Sequence, residues 1–415
     1  MANSHSLKLV ADRATTDGSY KRLVGELWSA RQRQMHSLHY VVSYRASFKP
    51  ELPDFCIQRY SEKGQIVLDP FSGRGTTALQ ANLLGRVAWA RDINPLSVAM
   101  TRAKTNPVGL DEIVLRLNEV DFTRPVAMDG YTDQLSPFYH PETFRELMNL
   151  RSHIRKNKDR VNAFIELLAL SRLHGHSPGF FSVYSFPQIS IPPERQAMIN
   201  RKRHQEPEYR AVAPRVIKKA AQALRDGFTS DFFAVTAANS IEQENARNLK
   251  SVPANSVDLI VTSPPFLDKV DYLADNWLEF WFSGINPKHF GRDLVMCRSV
   301  QEWTSFITDV LSEMLRVLQP RAYAVVEVGE VETSAGMLYL DEVVAAAAEG
   351  VSHPQKRFVV EEVLINQQSF TKLANCFKVD NNEKGTNTNR LVVLKAIEKQ
   401  GARRRKTGSR RQSAK

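Results

Sequence analysis

Two segments of the chain carry residue types that could do chemistry. Residues 258–266 read Asp-Leu-Ile-Val-Thr-Ser-Pro-Pro-Phe, an apolar run ending in a serine, two prolines and an aromatic ring. Consecutive prolines fix φ and remove two N–H donors, so the carbonyls around them point outward instead of into a sheet ladder. An amino group arriving there could donate to the Ser263 hydroxyl and the Pro264 carbonyl, with Pro265 fixing the turn and Phe266 offering a face to a planar ring. A conjugated exocyclic amine is a poor nucleophile. Accepting its two protons would bend it towards a tetrahedral nitrogen able to attack an electrophilic methyl group in line, with no covalent enzyme intermediate.

The second segment, residues 66–77, reads Ile-Val-Leu-Asp-Pro-Phe-Ser-Gly-Arg-Gly-Thr-Thr. Glycines after a strand permit a tight turn and let backbone N–H groups come close to a ligand. The lysine of a P-loop is absent. Ala78 stands where a dinucleotide fingerprint places its third glycine, a replacement that fingerprint tolerates, so the loop alone leaves a dehydrogenase open. Asp92, 17 residues beyond Gly75, ends the next apolar run. An acid there can accept both hydroxyls of a ribose, whether of NAD or of S-adenosylmethionine. The turn and Asp92 together point to an adenosine-containing cofactor.

The elements that must position these residues alternate. Residues 65–68 read as a strand, 76–84 as a helix, 86–90 as a strand broken at Asp92-Ile93-Asn94-Pro95, and 96–104 as a helix. That alternation is the signature of a parallel α/β sheet. Ahead of it, residues 15–60 read as helical and extended pieces joined by turns. The alternation lapses over 108–235, where helices are expected at 142–156, 160–173 and 214–226. It resumes with a strand at 257–262, helices near 272–283 and 302–318, a strand at 322–328, and an antiparallel pair at 357–365 and 390–395. The expected organisation is a Rossmann-like domain in two halves, 1–107 for the cofactor and 236–397 for catalysis, with a largely helical insertion at 108–235 and a basic, disordered tail at 398–415.

The formal charge of +11 is unevenly distributed: residues 398–415 carry +7 and residues 145–219 carry +9, leaving the remainder negative. Two basic regions on a near-neutral body suit a polyanion. Within the insertion, Arg195, Arg201, Lys202, Arg203 and Arg210 are the candidate phosphate or base-edge contacts. Phe180, Phe181, Tyr184 and Phe186 could stack on nucleotides or pack a lobe. No run reaches ~18 apolar residues, so no membrane span is expected, and the N-terminus lacks a signal pattern. Three cysteines (Cys56, Cys297, Cys376) give neither a disulfide framework nor a zinc pair, which suits the cytoplasm. His174-Gly175-His176 has no third ligand at suitable spacing, and no metal is expected.

Taken together, Asp69–Thr77 and Thr262–Phe266 resemble the paired motifs of the amino-group DNA methyltransferases. Residues 92–99 are similar to that family's ribose-binding segment, and 39–50 to the segment that closes over the cofactor's methionine end. The resemblance covers about 39–107 and 240–285, and its order, with the insertion between the motifs, is that of the alpha group. It implies S-adenosylmethionine as methyl donor and a flipped-out base in double-stranded DNA. Carried over by motif, Asp69, Phe71, Ser72, Gly73, Gly75, Thr76, Asp92 and Asn94 would hold the cofactor, with Tyr44, Phe48 and Asn245; Ser263, Pro264, Pro265 and Phe266 would hold the base. Asn245 stands where the family often has an acid for the adenine amine. Asp268 and Asp271 are candidates to take the proton that leaves. Thr-Ser-Pro-Pro is the commoner form in N4-cytosine enzymes, so cytosine N4 is the expected target, with adenine N6 the alternative and RNA guanine N2 a more distant one. A silent DNA-binding protein of the same fold is a further rival, opposed by the intact Ser263–Phe266 segment. The residues preceding the cysteines give no support for C5 chemistry. The resemblance leaves room for a cognate restriction endonuclease as partner, and the oligomeric state is not read from the sequence.

Overall fold

The computed structural model describes residues 7–15, 18–28, 35–44, 47–187, 189–265, 271–292, 294, 297, 299–333, 336–367 and 388–399. In chain order the elements are β1 (Lys8–Thr15), β2 (Gly18–Gly25), α1 (Glu51–Tyr60), β3 (Ile66–Asp69), α2 (Thr76–Leu83), β4 (Val87–Asp92) and α3 (Pro95–Thr105). Six helices follow: α4 (Leu110–Asn118), α5 (Pro141–Lys156), α6 (Arg160–Leu170), α7 (Pro193–Arg203), α8 (Val212–Leu224) and α9 (Ser230–Thr236). The chain then returns to the sheet with β5 (Ser240–Gln243), β6 (Val257–Thr262), α10 (Trp277–Ser283), α11 (Val300–Val317) and β7 (Leu318–Val328). A small hairpin, β8 (Glu330–Thr333) and β9 (Gly336–Tyr339), precedes α12 (Leu340–Gly350), β10 (Lys356–Gln367) and β11 (Thr388–Glu398).

Nine strands form one sheet in the order β1-β2-β10-β11-β7-β6-β3-β4-β5. The run β5-β4-β3-β6-β7 is parallel, and β11 lies antiparallel between β7 and β10. The central strands are near-continuous apolar runs, as expected where both faces are covered. Their side chains alternate between two cores. Leu68, Ile260 and Val326 pack with α11 and α12, while Val67, Leu259, Val261 and Val325 pack with α1 and α2. The result is a three-layer α/β/α Rossmann-like domain.

The connections leave β3 in opposite directions, through β4 to β5 on one side and through β6 to β7 on the other. A reversal of strand order opens a crevice at the carboxyl ends of the strands, where ligands of such sheets bind. Here those ends are Asp69–Pro70 and Thr262–Ser263, which belong to the two motifs singled out in the sequence.

The 15–60 stretch holds both extended and helical pieces, but its pairing was not read from the sequence: β1 and β2 form an antiparallel hairpin, and β2 adds in parallel to β10, Leu23 opposite Leu364. Charged residues recur along the edge strand β1 and its neighbour β2, and this hides their apolar alternation. Among the described residues of that stretch, α1 is the one regular α-helix. The region 108–235 is helical, as expected, and its apolar residues join those of α2 and α3 (Leu79, Leu96, Met100) in one continuous core. The basic tail beyond Lys399, Cys376, Phe266 and Asp268 lie outside the described residues.

Candidate active site

The turn after β3 is built before any ligand arrives. Gly73 and Gly75 have φ of +50° and +76°, values that glycine adopts without strain. The Asp92 carboxylate, at the end of β4, accepts the Gly73 N–H at 2.9 Å and the Asn94 N–H at 2.9 Å, one on each oxygen. Each oxygen keeps a lone pair for a further donor, so two vicinal hydroxyls can still be accepted. Burial pushes the Asp92 pKa up to about 7, against the pull of its two backbone N–H donors, and nearby Asp69 adds to the rise. Asn94 caps α3, its Oδ1 accepting from Leu96 N at 3.0 Å.

A cleft of about 1110 Å³ opens over this turn. Of the residues expected to hold a cofactor, Tyr44, Phe48, Phe71, Ser72, Gly73, Thr76, Asp92, Asn94 and Asn245 line it. Two do not. Gly75 stands behind the cleft, where a Cβ would come within 2.8 Å of the Thr101 hydroxyl and 3.0 Å of its Cα, so this glycine lets α3 pack against the turn. Asp69 is buried beneath the cleft and accepts from the Thr262 hydroxyl at 2.6 Å, tying the carboxyl ends of β3 and β6 together. Burial pushes its pKa up to about 6. The Gly73 N–H is likewise engaged by Asp92 instead of facing a ligand.

The 39–50 segment does close over the turn. Arg74 holds it by donating to the Phe48 carbonyl at 3.3 Å and the Val42 carbonyl at 3.5 Å. Tyr44 receives Asn94 Nδ2 at 3.2 Å and the Ser97 hydroxyl at 3.3 Å on its phenol oxygen, and its ring stacks on Tyr272 at 6.0 Å. Beneath the turn the buried Lys104 ammonium donates to the Arg74 carbonyl at 2.7 Å. Burial holds its pKa well below the usual lysine range.

The opposite wall is the end of β6. Ser263 and Pro265 line the same cleft, and Pro264 is buried beside them. Trp303 of α11, itself buried, donates its indole N–H to the Pro265 carbonyl at 2.9 Å and so fixes the plane of the turn. Phe306, one helical turn further along α11, meets Phe71 at 5.9 Å and forms the floor between the walls. Nothing local marks Trp303 or Phe306, which lie on the buried face of an amphipathic helix. Asp271 also lines the cleft, but its Oδ1 accepts from Leu273 N at 3.1 Å and Ala274 N at 3.0 Å, so it caps the turn before α10. Asn245 Oδ1 accepts from Arg247 N at 3.0 Å, an Asx turn that leaves one oxygen lone pair and the amide N–H groups for a ligand.

The basic residues of the insertion separate into different environments. Arg195, Arg201, Lys202 and Arg203 are exposed on α7, with the Arg203 guanidinium 3.8 Å above the Tyr184 ring. Arg210 instead donates to the carbonyls of Ser177, Phe180 and Ser182, clamping the 177–182 loop. Phe181 is fully buried. His174 pairs with the buried Glu279 at 2.9 Å. A second cleft, of about 1460 Å³, shares Tyr44 with the first. Arg215, Lys218, Lys219 and Gln222 of α8 line it at helical spacing, joined by Arg172. This basic face was not singled out in the sequence, although Arg-x-x-Lys-Lys on one side of an amphipathic helix was a signal that could have found it.

Sheet order, switch-point crevice and acid-tipped glycine turn define a Rossmann-like domain whose cleft fits an adenosine-containing cofactor such as S-adenosylmethionine. Residues 11–101 match the family model N6_N4_Mtase, described as DNA methylase. The curated relatives are both type II methyltransferases, and the chain is similar to the amino-group (N4/N6) DNA methyltransferases over these segments. M.BsoBI of Geobacillus stearothermophilus is 21% identical over 291 residues, 63% of this chain and 56% of that protein. M.MjaII of Methanocaldococcus jannaschii is 29% identical over 91 residues, 22% of this chain and 17% of that protein. The chain thus spans about half the length of the first relative and less of the second. Among solved structures, TrmN from Thermus thermophilus covers 85% of this chain and 50% of its own at 13% identity and a TM-score of 0.32. The rRNA methyltransferase aviRa from Streptomyces viridochromogenes covers 89% of this chain and 96% of its own at 11% identity and a TM-score of 0.32. At these scores the structural likenesses add nothing to the architecture read from the chain itself.

Proposed function

We propose that this protein transfers a methyl group from S-adenosylmethionine to an exocyclic amine of a base in double-stranded DNA, with cytosine N4 as the target. The observation that carries the reading is the joining of Asp92 and the glycine turn with Ser263 and Pro265 in one cleft at the switch point of the sheet. When bound, the cofactor supplies an electrophilic methyl on sulfur. Asp92 accepts the two ribose hydroxyls on the lone pairs that Gly73 and Asn94 leave open. Tyr44 and Phe48 wall off the other end of the cleft from water. Ser263 Oγ and the Pro264 carbonyl accept the two amine protons, and the Trp303 bond to Pro265 keeps that pair of acceptors in register. Phe266 is proposed as the stacking face for the base.

The α8 face supports a polyanionic substrate. Arg215, Lys218 and Lys219 border a second cleft that shares Tyr44 with the first, which is where the backbone flanking an extruded base would run. The exposed Arg195, Arg201, Lys202 and Arg203 would then meet DNA further from the target base. The preference for cytosine rests on Thr262-Ser263-Pro264-Pro265, and a cognate endonuclease remains a proposed partner.

Incubation with methyl-labelled S-adenosylmethionine and unmodified DNA, followed by digestion and nucleoside mass spectrometry, tests the reading. Label in N4-methylcytosine is the expected result. Label in N6-methyladenine would move the target base, and label only in RNA would overturn the DNA assignment.

A further inference from the structure

A buried carboxylate stands one strand behind the base wall. Glu327 is the second-last residue of β7 and only 5% exposed. The parallel register of β6 and β7 pairs Thr262 with Val326, so Ser263 and Glu327 are the next residues along two neighbouring strands. That register sets the Glu327 carboxylate beside the Ser263 hydroxyl, and its Oε1 accepts the Asn389 amide of β11 at 2.8 Å. Burial raises its pKa above the ordinary glutamate range, and the neighbouring Ser263 hydroxyl and Asn389 amide only partly offset the rise. Charged groups on the surrounding elements have other partners. Arg390 of β11 reaches Glu330 at 2.9 Å and Asp341 at 3.6 Å, and Arg22 of β2 pairs with Asp341 at 2.7 Å. Asp69 of β3 binds the Thr262 hydroxyl, and Asp271 across the cleft caps its own turn.

We propose that Glu327 is the positioning residue for Ser263 and the end of the proton path that leads away from the methylated amine. This rests on the amine-methylation reading above. A serine hydroxyl has one proton and two lone pairs. In the proposed arrangement the Ser263 proton turns to Glu327, so Ser263 can only accept from the cleft; it welcomes an amino group and leaves a keto oxygen at the same place without a donor. The wall therefore favours cytosine over a pyrimidine with oxygen at that position. As the new N–C bond forms and the methyl leaves its sulfonium, whose bonding pair stays on sulfur, the nitrogen carries one surplus proton. That proton passes to Ser263 Oγ while the original Ser263 proton passes to the Glu327 carboxylate. One proton leaves nitrogen, one arrives on Glu327, and the serine ends as it began. The protonated carboxyl returns its proton to solvent when the base leaves.

The sequence alone could not pair these residues, because they are joined only by the register of two strands. Ser263 alone is a poor general base, and Asp271 is taken up in capping its own turn.

The test is single-turnover methyl transfer to DNA between pH 5 and 9, with S-adenosylmethionine saturating at every pH so that Asp92 does not shape the profile, by the full chain and by Glu327→Gln, with calorimetric cofactor binding and thermal unfolding measured alongside. Wild type should lose rate on the acid side with an apparent pKa above that of an ordinary glutamate. Glu327→Gln should be slower by about 10- to 100-fold, lose that acid limb and bind the cofactor as wild type does. On a Ser263→Ala background, adding Glu327→Gln should change nothing further, because both act in one path. An unchanged pH profile in Glu327→Gln, or a double variant as slow as the product of the two single effects, would overturn the proposal. Should Glu327→Gln fail to fold, Glu327→Asp keeps a carboxylate and should keep the acid limb at a reduced rate; its absence there also counts against the relay. No transfer by wild type to any nucleic acid would instead bring down the methylation reading itself, and this inference with it.

Discussion

The wall of the cleft made by residues 70–76 and 92–94 is held by its own backbone, whereas the wall at 262–265 is held by side chains sent from other elements. On the first wall, Asp92 is fixed by the N–H groups of Gly73 and Asn94, and Gly75 brings α3 against the turn. On the second, Trp303 of α11 grips the Pro265 carbonyl, Glu327 of β7 backs Ser263, and Asp69 of β3 grips Thr262. A wall built by backbone is rigid and generic to its cofactor. A wall built by remote side chains can be retuned without disturbing the sheet, which suits the half of a site that must choose a base.

The largest effect should come from Gly75→Ala. Its Cβ would sit 2.8 Å from the Thr101 hydroxyl on a backbone with φ of +76°, so the substitution combines overpacking with a strained conformation. A loss of about 2–4 kcal/mol is expected in urea unfolding, with cofactor binding lost as the turn shifts. Wild-type stability in this variant would break the claim that the first wall is built by close packing.

Asp92 gives the next effect, and it depends on pH. Its pKa of about 7 in the folded chain exceeds that of an ordinary carboxylate, so between about pH 4 and 7 the folded state binds the extra proton. Its contribution to stability is therefore fully present below pH ~4 and lost as pH rises through about 7. Cofactor affinity should run the other way, because the ribose hydroxyls need the ionised form as acceptor. Calorimetry should show binding tightening as pH rises through this range. Asp92→Asn should weaken binding about tenfold near pH 8 and flatten the dependence, since one accepting oxygen is lost.

On the second wall, Trp303→Phe removes one N–H donor and keeps the ring. A cost of about 1 kcal/mol, roughly fivefold in single-turnover transfer, is expected with cofactor affinity unchanged. An equal fall in both would mean that the two walls are not separable. The smallest effect concerns the basic regions. Lys218→Ala on α8 should weaken DNA binding uniformly across sequences and lower the salt slope by about 1, whereas Lys202→Ala on α7 should do less. The reverse order would move the DNA path to α7.

The same contrast explains what was legible in the sequence. The strands at 66–69, 257–262 and 322–328, and the turn between β3 and α2, showed themselves because their chemistry is local: apolar runs, glycines and a strand-ending acid. Nine of the eleven residues expected to hold the cofactor line the cleft for that reason. Gly75 and Asp69 lie behind it because a motif gives positions along the chain but not which side of the turn each faces. Trp303 and Glu327 were not legible, since one sits on an amphipathic helix and the other in a buried strand, where nothing local separates a functional residue from core. The β1–β2 hairpin was missed because its pairing partner, β10, lies more than 300 residues away and its own charges conceal the alternation. In sequence Arg210 is indistinguishable from the other basic residues of the insertion, because the three carbonyls its guanidinium clamps lie about 30 residues away along the chain.

The most direct test of the two-wall cleft sets Asp92→Asn against Ser263→Ala, each followed by calorimetric titration with S-adenosylmethionine and by single-turnover transfer to DNA. The expected result is a crossing: Asp92→Asn binds the cofactor more weakly, while Ser263→Ala binds it as wild type does and transfers far more slowly. Parallel losses of binding and transfer in both variants would contradict a cleft with one wall for the methyl donor and the other for the amine that receives it.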